Sequence, residues 1–578
     1  MKLTFCGAAR TVTGSCHMLT TSAGKILVDC GMRQGEDVKG EYGEDRFPFD
    51  PAEIDIVLAT HAHIDHIGLI PLLVKRGYTG KILTTTATSG LATIMLPDSA
   101  HIQEQEAEWQ NRKNERAGKA HVDPLYTVKD VEKTLKQFHG VPYGKTVEIL
   151  PGVTAKFTDV GHLLGSAAIE MNVTEDGKTS KIVFSGDIGR TDRPILNDPE
   201  SIGGADYLIM ESTYGDRDHA LTTNADKEKE LASVIRAALA RGGNLVIPSF
   251  AVGRTQELLY YIKHFLFENT VPGLEKIPVY IDSPLAIQAT KVYERCAEGY
   301  YDDDARALSH DGSPFDFPTL CIAETTDESK LINELKQQKI IISASGMCDA
   351  GRIRHHLKHN LYRADSTVMF AGYQAVGTLG RTLVDGAKKV KLFGEDVRVN
   401  AHIVQTDGFS GHAGRSELID WAEKVQPAPR EIFLVHGEEE AIFSLTAALE
   451  ERGLSVTVPS LCDEIVLVAE KESPSVRAAK GAKKKPAKRT AETPAEADAA
   501  SAKTEAPAPK AARAAYDPDG AIPLAATAPG YESRALLKRI DGILERSEER
   551  RSPDMELKRA ILEADLKALA DKWETIIN

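Results

Sequence analysis

Short apolar runs rich in Val, Ile and Leu recur along the chain, and many stop abruptly at a histidine, a carboxylate or a glycine. Ile54-Asp55-Ile56-Val57-Leu58-Ala59 is such a run, and Thr60-His61-Ala62-His63-Ile64-Asp65-His66-Ile67-Gly68 follows it directly. Lys25-Ile26-Leu27-Val28 ends in Asp29-Cys30-Gly31, and Lys181-Ile182-Val183-Phe184-Ser185-Gly186 ends in Asp187. Ala205-Asp206-Tyr207-Leu208-Ile209-Met210 ends in Glu211. The composition of these runs predicts buried β-strands, with the polar residue presented where the strand gives way to a turn. Residues 1–208 therefore read as strands with intervening helices. The stretch from His101 to Gly118 is charged and predicts a solvated helix.

From residue 216 the texture changes. Helical segments Asp226–Leu239 and Thr255–Phe267 alternate with strand candidates at 244–248, 279–281, 339–342 and 367–370. That alternation predicts a parallel sheet covered by helices on both faces. Beyond 380 the first texture returns, and Asp407-Gly408-Phe409-Ser410-Gly411-His412 and Ile432-Phe433-Leu434-Val435-His436 each end in a histidine. If the first domain needs those histidines, 1–208 and 380–470 form one discontinuous domain, interrupted by 209–379. Residues 471–530 are rich in Ala, Lys and Pro and predict a disordered linker, whose basic run at 480–489 suits either nucleic acid or a plain solvated tether. Residues 531–578 carry apolar faces on both sides of Ser552-Pro553 and predict a helical hairpin that docks on the body, a partner or a second copy.

Composition narrows the classes. The chain has 578 residues, 42% of them hydrophobic, with 45 Gly and 27 Pro, as expected of a mixed α/β protein of several domains. No apolar stretch is long enough to span a bilayer, and Met1-Lys2-Leu3-Thr4-Phe5-Cys6-Gly7 lacks signal-peptide architecture. Seven cysteines without a CxxC pair point to a reducing, cytoplasmic setting. The net charge of −15 speaks against nucleic acid only weakly, because binding depends on the field inside a cleft.

The polar ends of the strands point to metal. Three histidines and a carboxylate within 61–66 suit divalent ions. On an extended segment His61 and His63 can share one ion, while Asp65 and His66, past the turn, can reach a second. A solvated histidine-rich loop is the plain alternative. His162, between glycines, supplies a third nitrogen or is simply structural. Asp187, also beside glycine, has the backbone freedom to lie between two ions. Asp29 is a turn residue or a carboxylate that orients a metal-bound histidine, and the neighbouring cluster favours the second role. At the strand ends of the second region, Ser249 to Arg254, Asp282-Ser283-Pro284, Ser345-Gly346-Met347 and Gly372-Tyr373-Gln374 suit phosphate held by backbone N–H groups and helix starts, although Ser and Gly also simply make turns.

Taken together, Asp29, His61-Ala62-His63-Ile64-Asp65-His66, His162, Asp187, Glu211, His412 and His436 resemble the ordered motifs of the β-CASP branch of metallo-β-lactamase-fold nucleases, which includes ribonuclease J and the pre-mRNA 3′-end cleavage nuclease. The resemblance spans roughly residues 1–465. It implies an α/β architecture: an αββα metallo-β-lactamase sandwich interrupted by an inserted α/β β-CASP domain. It further implies two zinc ions, with manganese able to take the same ligands. His61, His63 and His162 would hold one, Asp65, His66 and His436 the other, and Asp187 would bridge. His412 would be the general acid, held by Glu211, with Asp187 and Asp65 counted among the catalytic residues. Ser345, Gly346, Met347, Gly372 and Tyr373 resemble substrate-contacting loops, to which Ser249 and Arg254 are added as candidates.

The resulting expectation is a two-zinc ribonuclease acting on single-stranded RNA in processing or decay, with no membrane partner and with a homodimer left open. A thioester or lactam hydrolase of the same fold is the alternative within enzymes. A non-catalytic RNA-binding scaffold is the alternative outside them. Direction of cleavage, natural RNA and the role of the tail are not encoded in any residue that can be read directly.

Overall fold

A computed structural model describes residues 1–33, 46–220, 223–310, 312–375, 377–406 and 408–468. The linker expected at 471–530 and the helical hairpin at 531–578 lie outside the described residues.

Two seven-stranded sheets form the centre. The first runs, edge to edge, Glu464–Val466, Lys2–Phe5, His17–Thr21, Gly24–Val28, Ile56–Leu58, Lys81–Thr85, Phe138–Val141. The second runs Val456–Thr457, Glu431–Val435, Tyr207–Glu211, Lys178–Phe184, Ala167–Glu175, Val153–Asp159, Thr146–Leu150. Strand alternation sorts their side chains. Ile26 and Val28 point into a shared core with Phe157, Ile169, Phe184 and Phe433 of the other sheet, while Leu27 faces the opposite way. On that outer face the first sheet is covered by helices carrying Leu72, Leu91 and Leu96. The second is covered by helices carrying Leu418, Trp421, Ile442 and Leu445. Four layers result, α-β-β-α.

The charged stretch after His101 is the outer half of one helix, Thr86–Ala117, which Thr85 caps by accepting from the Thr88 N–H. Gly118 ends it at φ 63°, a conformation that costs glycine little.

Between the second sheet's parallel strands Tyr207–Glu211 and Glu431–Val435 the chain makes a separate six-stranded sheet. Its order is Leu320–Ile322, Val279–Ile281, Ile340–Ser343, Leu245–Pro248, Thr367–Ala371, His402–Thr406, and every neighbour pair is parallel. Helices Asn224–Arg241 and Arg254–Phe267 alternate with these strands. One detail differs from the expectation of a return to the first domain at 380. His402–Thr406 pairs with Thr367–Ala371 along its whole length, so the inserted sheet takes a strand from beyond that point. Sheet membership is decided by a pairing partner distant in sequence, which an apolar run does not announce.

Candidate metal centre

Strand ends from both central sheets converge. Ile56–Leu58 delivers Thr60 and His61, and His63 precedes the short helix Ile64–Ile67 that carries Asp65 and His66. His162 follows Val153–Asp159, and Asp187 follows Lys178–Phe184. Glu211 and Val435 are register partners on neighbouring parallel strands, so Glu211 and His436 leave the second sheet side by side.

These side chains form two sets that meet at Asp187. Ligand atoms of His61, His63, His162 and Asp187 all lie within 4.8 Å of one another, as do those of Asp65, His66 and His436. His63 Nδ1 lies 3.1 Å from His61 Nε2 and 3.3 Å from His162 Nε2. In the other set, His66 Nε2 and His436 Nε2 are 3.3 Å apart, with Asp65 Oδ2 3.6 Å from the latter. Asp187 Oδ2 is 3.4 Å from His61 Nε2, and its Oδ1 is 3.2 Å from His66 Nε2, so each oxygen faces one set.

The shell behind them fixes ring orientation. Asp29, at φ 59°, accepts from His66 Nδ1 at 2.7 Å, from the Thr60 N–H at 2.8 Å and from the Thr60 hydroxyl at 2.9 Å. With Nδ1 committed, His66 offers Nε2 to the centre. Thr213 Oγ1 sits 3.1 Å from His436 Nδ1 and does the same for that ring.

Electrostatics follow from burial and crowding. Burial pushes His63 down to about 3 and lowers His61, so these imidazoles are neutral. Burial also opposes the Asp187 charge, but His436, His66 and His61 around it hold its carboxyl well below the usual range. Burial likewise lowers His162, whereas Asp187 and its fellow carboxylates raise His66 and His436 against burial; imidazole nitrogens around an ionised carboxylate suit zinc by donor type. The fit has a second mark: Asp187 Oδ1 is buried and makes no hydrogen bond. A buried oxygen or nitrogen lone pair without a donor is costly unless something else satisfies it. The residues present fit divalent ions.

Beside this cluster, His412 Nδ1 is 3.3 Å from both oxygens of Glu211. Glu211 is itself fixed by accepting from the Ile188 and Thr213 N–H groups. Burial presses the His412 pKa down, but the Glu211 carboxylate, helped by Asp187 and Asp65, brings it up to about 9.

Arg193 is a residue that the sequence pattern does not single out. Its Nη1 donates to the His162 carbonyl at 2.9 Å and the Gly411 carbonyl at 3.3 Å, tying the loops of two histidines together. Its Nη2 lies 3.7 Å from Glu257 of the inserted domain. Its only sequence signal is a run of charge just after Asp187.

The inserted sheet's strand ends present the remaining candidates unevenly. Ser249 is buried and donates to the Phe250 carbonyl. Arg254 is largely buried, donates to the Ala371 carbonyl and pairs with Glu257. Gly346 lies against Phe250, and Gly372 against Arg254. Met347 Sδ accepts from the Ala375 N–H, and Ser345 Oγ donates to the Ala350 carbonyl. Tyr373 is half exposed.

Comparison with known proteins matches residues 9–247 to the metallo-β-lactamase superfamily and 255–383 to the Beta-Casp domain. Residues 396–459 match the Zn-dependent metallo-hydrolase RNA specificity domain. A ribonuclease of Thermus thermophilus, TTHA0252, is 36% identical over 79% of this chain and 98% of its own. The chain belongs to the β-CASP branch of the metallo-β-lactamase superfamily. Transcription termination factor FttA of Methanococcus maripaludis is 32% identical over 77% of this chain and 68% of its own. FttA of Methanosarcina mazei is 31% identical over 78% and 69%. The two-sheet domain and the inserted sheet are thus the β-CASP metallo-hydrolase fold. Among the described residues no helix is long and apolar enough to cross a membrane.

Proposed function

We propose that this chain is a zinc-dependent ribonuclease that hydrolyses phosphodiester bonds of single-stranded RNA with two metal ions, in RNA processing or decay. The observation that carries the proposal is the sharing of Asp187 between two ligand sets, with the Glu211–His412 pair alongside. Ribonuclease TTHA0252 and the RNA specificity domain match support RNA as the substrate. His61, His63, His162 and Asp187 would hold one ion, and Asp65, His66, His436 and Asp187 the other. Bound there, two ions supply a more acidic water and charge stabilisation for phosphoryl oxygens. Asp29 and Thr213 keep His66 and His436 turned with Nε2 inward.

Glu211 holds the proton on Nδ1 of His412 and stabilises the charged ring, so that the other nitrogen can deliver a proton to the departing ribose oxygen. His412 is one-fifth exposed, which leaves the ring open to substrate. Ser345–Met347 and Gly372–Tyr373 are the inserted domain's proposed contacts with the strand.

The test uses 5′-labelled single-stranded RNA with zinc or manganese and compares wild type with Asp187→Ala and His412→Ala. Wild type degrades the strand, Asp187→Ala abolishes the activity, and His412→Ala slows it by about 10²–10⁴-fold, the usual scale of general acid catalysis. A ladder of products against immediate mononucleotide separates internal from terminal cleavage. Intact RNA alongside hydrolysis of a thioester or lactam refutes the proposal.

A further inference from the structure

At the mouth of the inserted sheet one aromatic ring is held rigidly in the open. Phe250 is 48% exposed, although Ser249, Ala251 and Val252 around it are all buried. Its backbone is fixed twice, because its carbonyl accepts the hydroxyls of Ser249 at 3.2 Å and Thr255 at 2.7 Å. Ala251 and Val252 belong to the same apolar cluster as Leu163 and Leu164, which directly follow His162. A Cβ placed on Gly253 would come within 3.1 Å of Leu163 Cδ1. The loop that displays Phe250 is therefore packed on the loop that carries a ligand-type histidine.

Its neighbours leave the ring accessible. Strand Leu245–Pro248, which leads to Phe250, lies between Ile340–Ser343 and Thr367–Ala371. The first neighbour leads to Gly346, where any Cβ would approach the Phe250 ring to 3.1 Å. The second leads to Tyr373, which is 50% exposed. Single exposed apolar residues are ordinary on a surface. A ring whose backbone and flanks are all immobilised, with a second exposed aromatic on the adjacent strand end, is a preformed platform.

We infer that Phe250 stacks on a nucleobase of the bound strand, the inference resting on the ribonuclease reading above. Stacking on an aromatic side chain accepts every base, since each has a π-face. The backbone phosphate is thereby placed by a contact that reads no sequence.

The experiment measures binding of a fluorescent single-stranded RNA by anisotropy, with full-length protein in a His412→Ala background so that the strand persists. Phe250→Ala and Phe250→Trp are compared on a base-bearing strand and on an abasic strand of equal length. Phe250→Ala weakens binding of the base-bearing strand by about ten-fold or more, the scale of loss of one base stack. Phe250→Trp restores it, and all three proteins bind the abasic strand equally. Thermal melting checks that each variant is folded. An equal loss on both strands, no loss on the base-bearing strand, or failure of Trp to restore binding overturns the inference. So does unchanged RNA affinity with a change of mass in light scattering, which would make the ring a contact between copies. If the parent protein neither binds nor cleaves RNA, the ribonuclease reading falls and this inference with it. A parent that binds well while Phe250→Ala is silent removes the platform alone.

Discussion

Replacing Arg193 by alanine should slow hydrolysis without emptying the metal centre. The guanidinium spans the His162 and Gly411 carbonyls at 2.9 and 3.3 Å, and Gly411 directly precedes His412. It is therefore a strut between the loop of a proposed metal ligand and the loop of the proposed acid. Hydrogen bonds from a charged donor contribute about 1.5–3 kcal/mol each, so truncation removes roughly 3–6 kcal/mol of local restraint. The His162 loop is also held by Ser166, whose hydroxyl accepts from the His162 and Leu163 N–H groups, whereas the His412 ring depends on its loop and on Glu211. A displacement of about 1 Å at a catalytic group is enough to cost about 10²-fold in rate. The expected result is a 10- to 100-fold lower kcat on labelled RNA, with metal content by mass spectrometry near that of wild type. Arg193→Lys should recover only part of the loss, because an ammonium on a shorter stem cannot keep both the carbonyl contacts of Nη1 and the Glu257 pair of Nη2. A kcat within two-fold of wild type in folded Arg193→Ala would refute the strut. Full rescue by lysine would show that charge matters there and geometry does not.

Asp282→Asn should destabilise the inserted domain. Asp282 is fully buried and accepts from Arg352 at 2.7 Å, His356 at 2.6 Å and Ser329 at 2.5 Å. Breaking such a network costs about 3–5 kcal/mol, or roughly 6–20 °C in that domain's melting temperature. Burial opposes its charge, but His356, Ser329 and Arg352 hold the carboxyl below the usual range. That stability is complete above the unfolded value of about 3.9 and is lost as pH falls through the lower folded value. The Asn variant should accordingly show a shallower acid limb in melting against pH; identical limbs would contradict the network. Chelation should abolish RNA cleavage and lower the melting temperature of the two-sheet domain. Metal present at about 10³ times its dissociation constant stabilises by about 4 kcal/mol, and a melting curve unmoved by verified metal removal would show that the ligand cluster does not hold structural metal.

Residue types at strand ends carried much of the site. Asp29, His61, His63, Asp65, His66, Asp187, Glu211 and His436 each stop or follow an apolar run, and the fold gathers them into adjoining groups, with Asp29 hydrogen-bonded to His66. What stayed hidden depends on distance through space. Ser249 and Arg254 have the composition of a phosphate-binding turn, but the fold turns both inward, onto the Phe250 and Ala371 carbonyls. Phe250 reads as one more core residue, and only its exposure separates it from the buried residues on either side. Arg193 sits in an unremarkable charged turn, and its meaning comes from carbonyls contributed by residues 162 and 411.

The insertion then has a mechanical consequence. The inserted sheet ends at His402–Thr406, and the chain reaches His412 within one short loop. In that loop Phe409 lies beneath the Arg254 guanidinium, and Gly408 accepts from the buried Arg190. Arg254 and Arg193 share Glu257, so the inserted domain's helix Arg254–Phe267 is joined by charge to the loop following Asp187. The histidine proposed to deliver the proton is thus carried by the far end of the domain proposed to grip the strand. Six of the seven proposed metal ligands, by contrast, precede the insertion, and the seventh, His436, returns on a strand paired in register with the one that ends at Glu211. His412 also pairs with Gly189 in the loop after Asp187, and Arg193 joins the His162 loop to Glu257, so a shift of the inserted domain would act on the loops of Asp187, His162 and His412 together. In the proposed mechanism, substrate binding, proton delivery and metal binding are coupled through those shared loops.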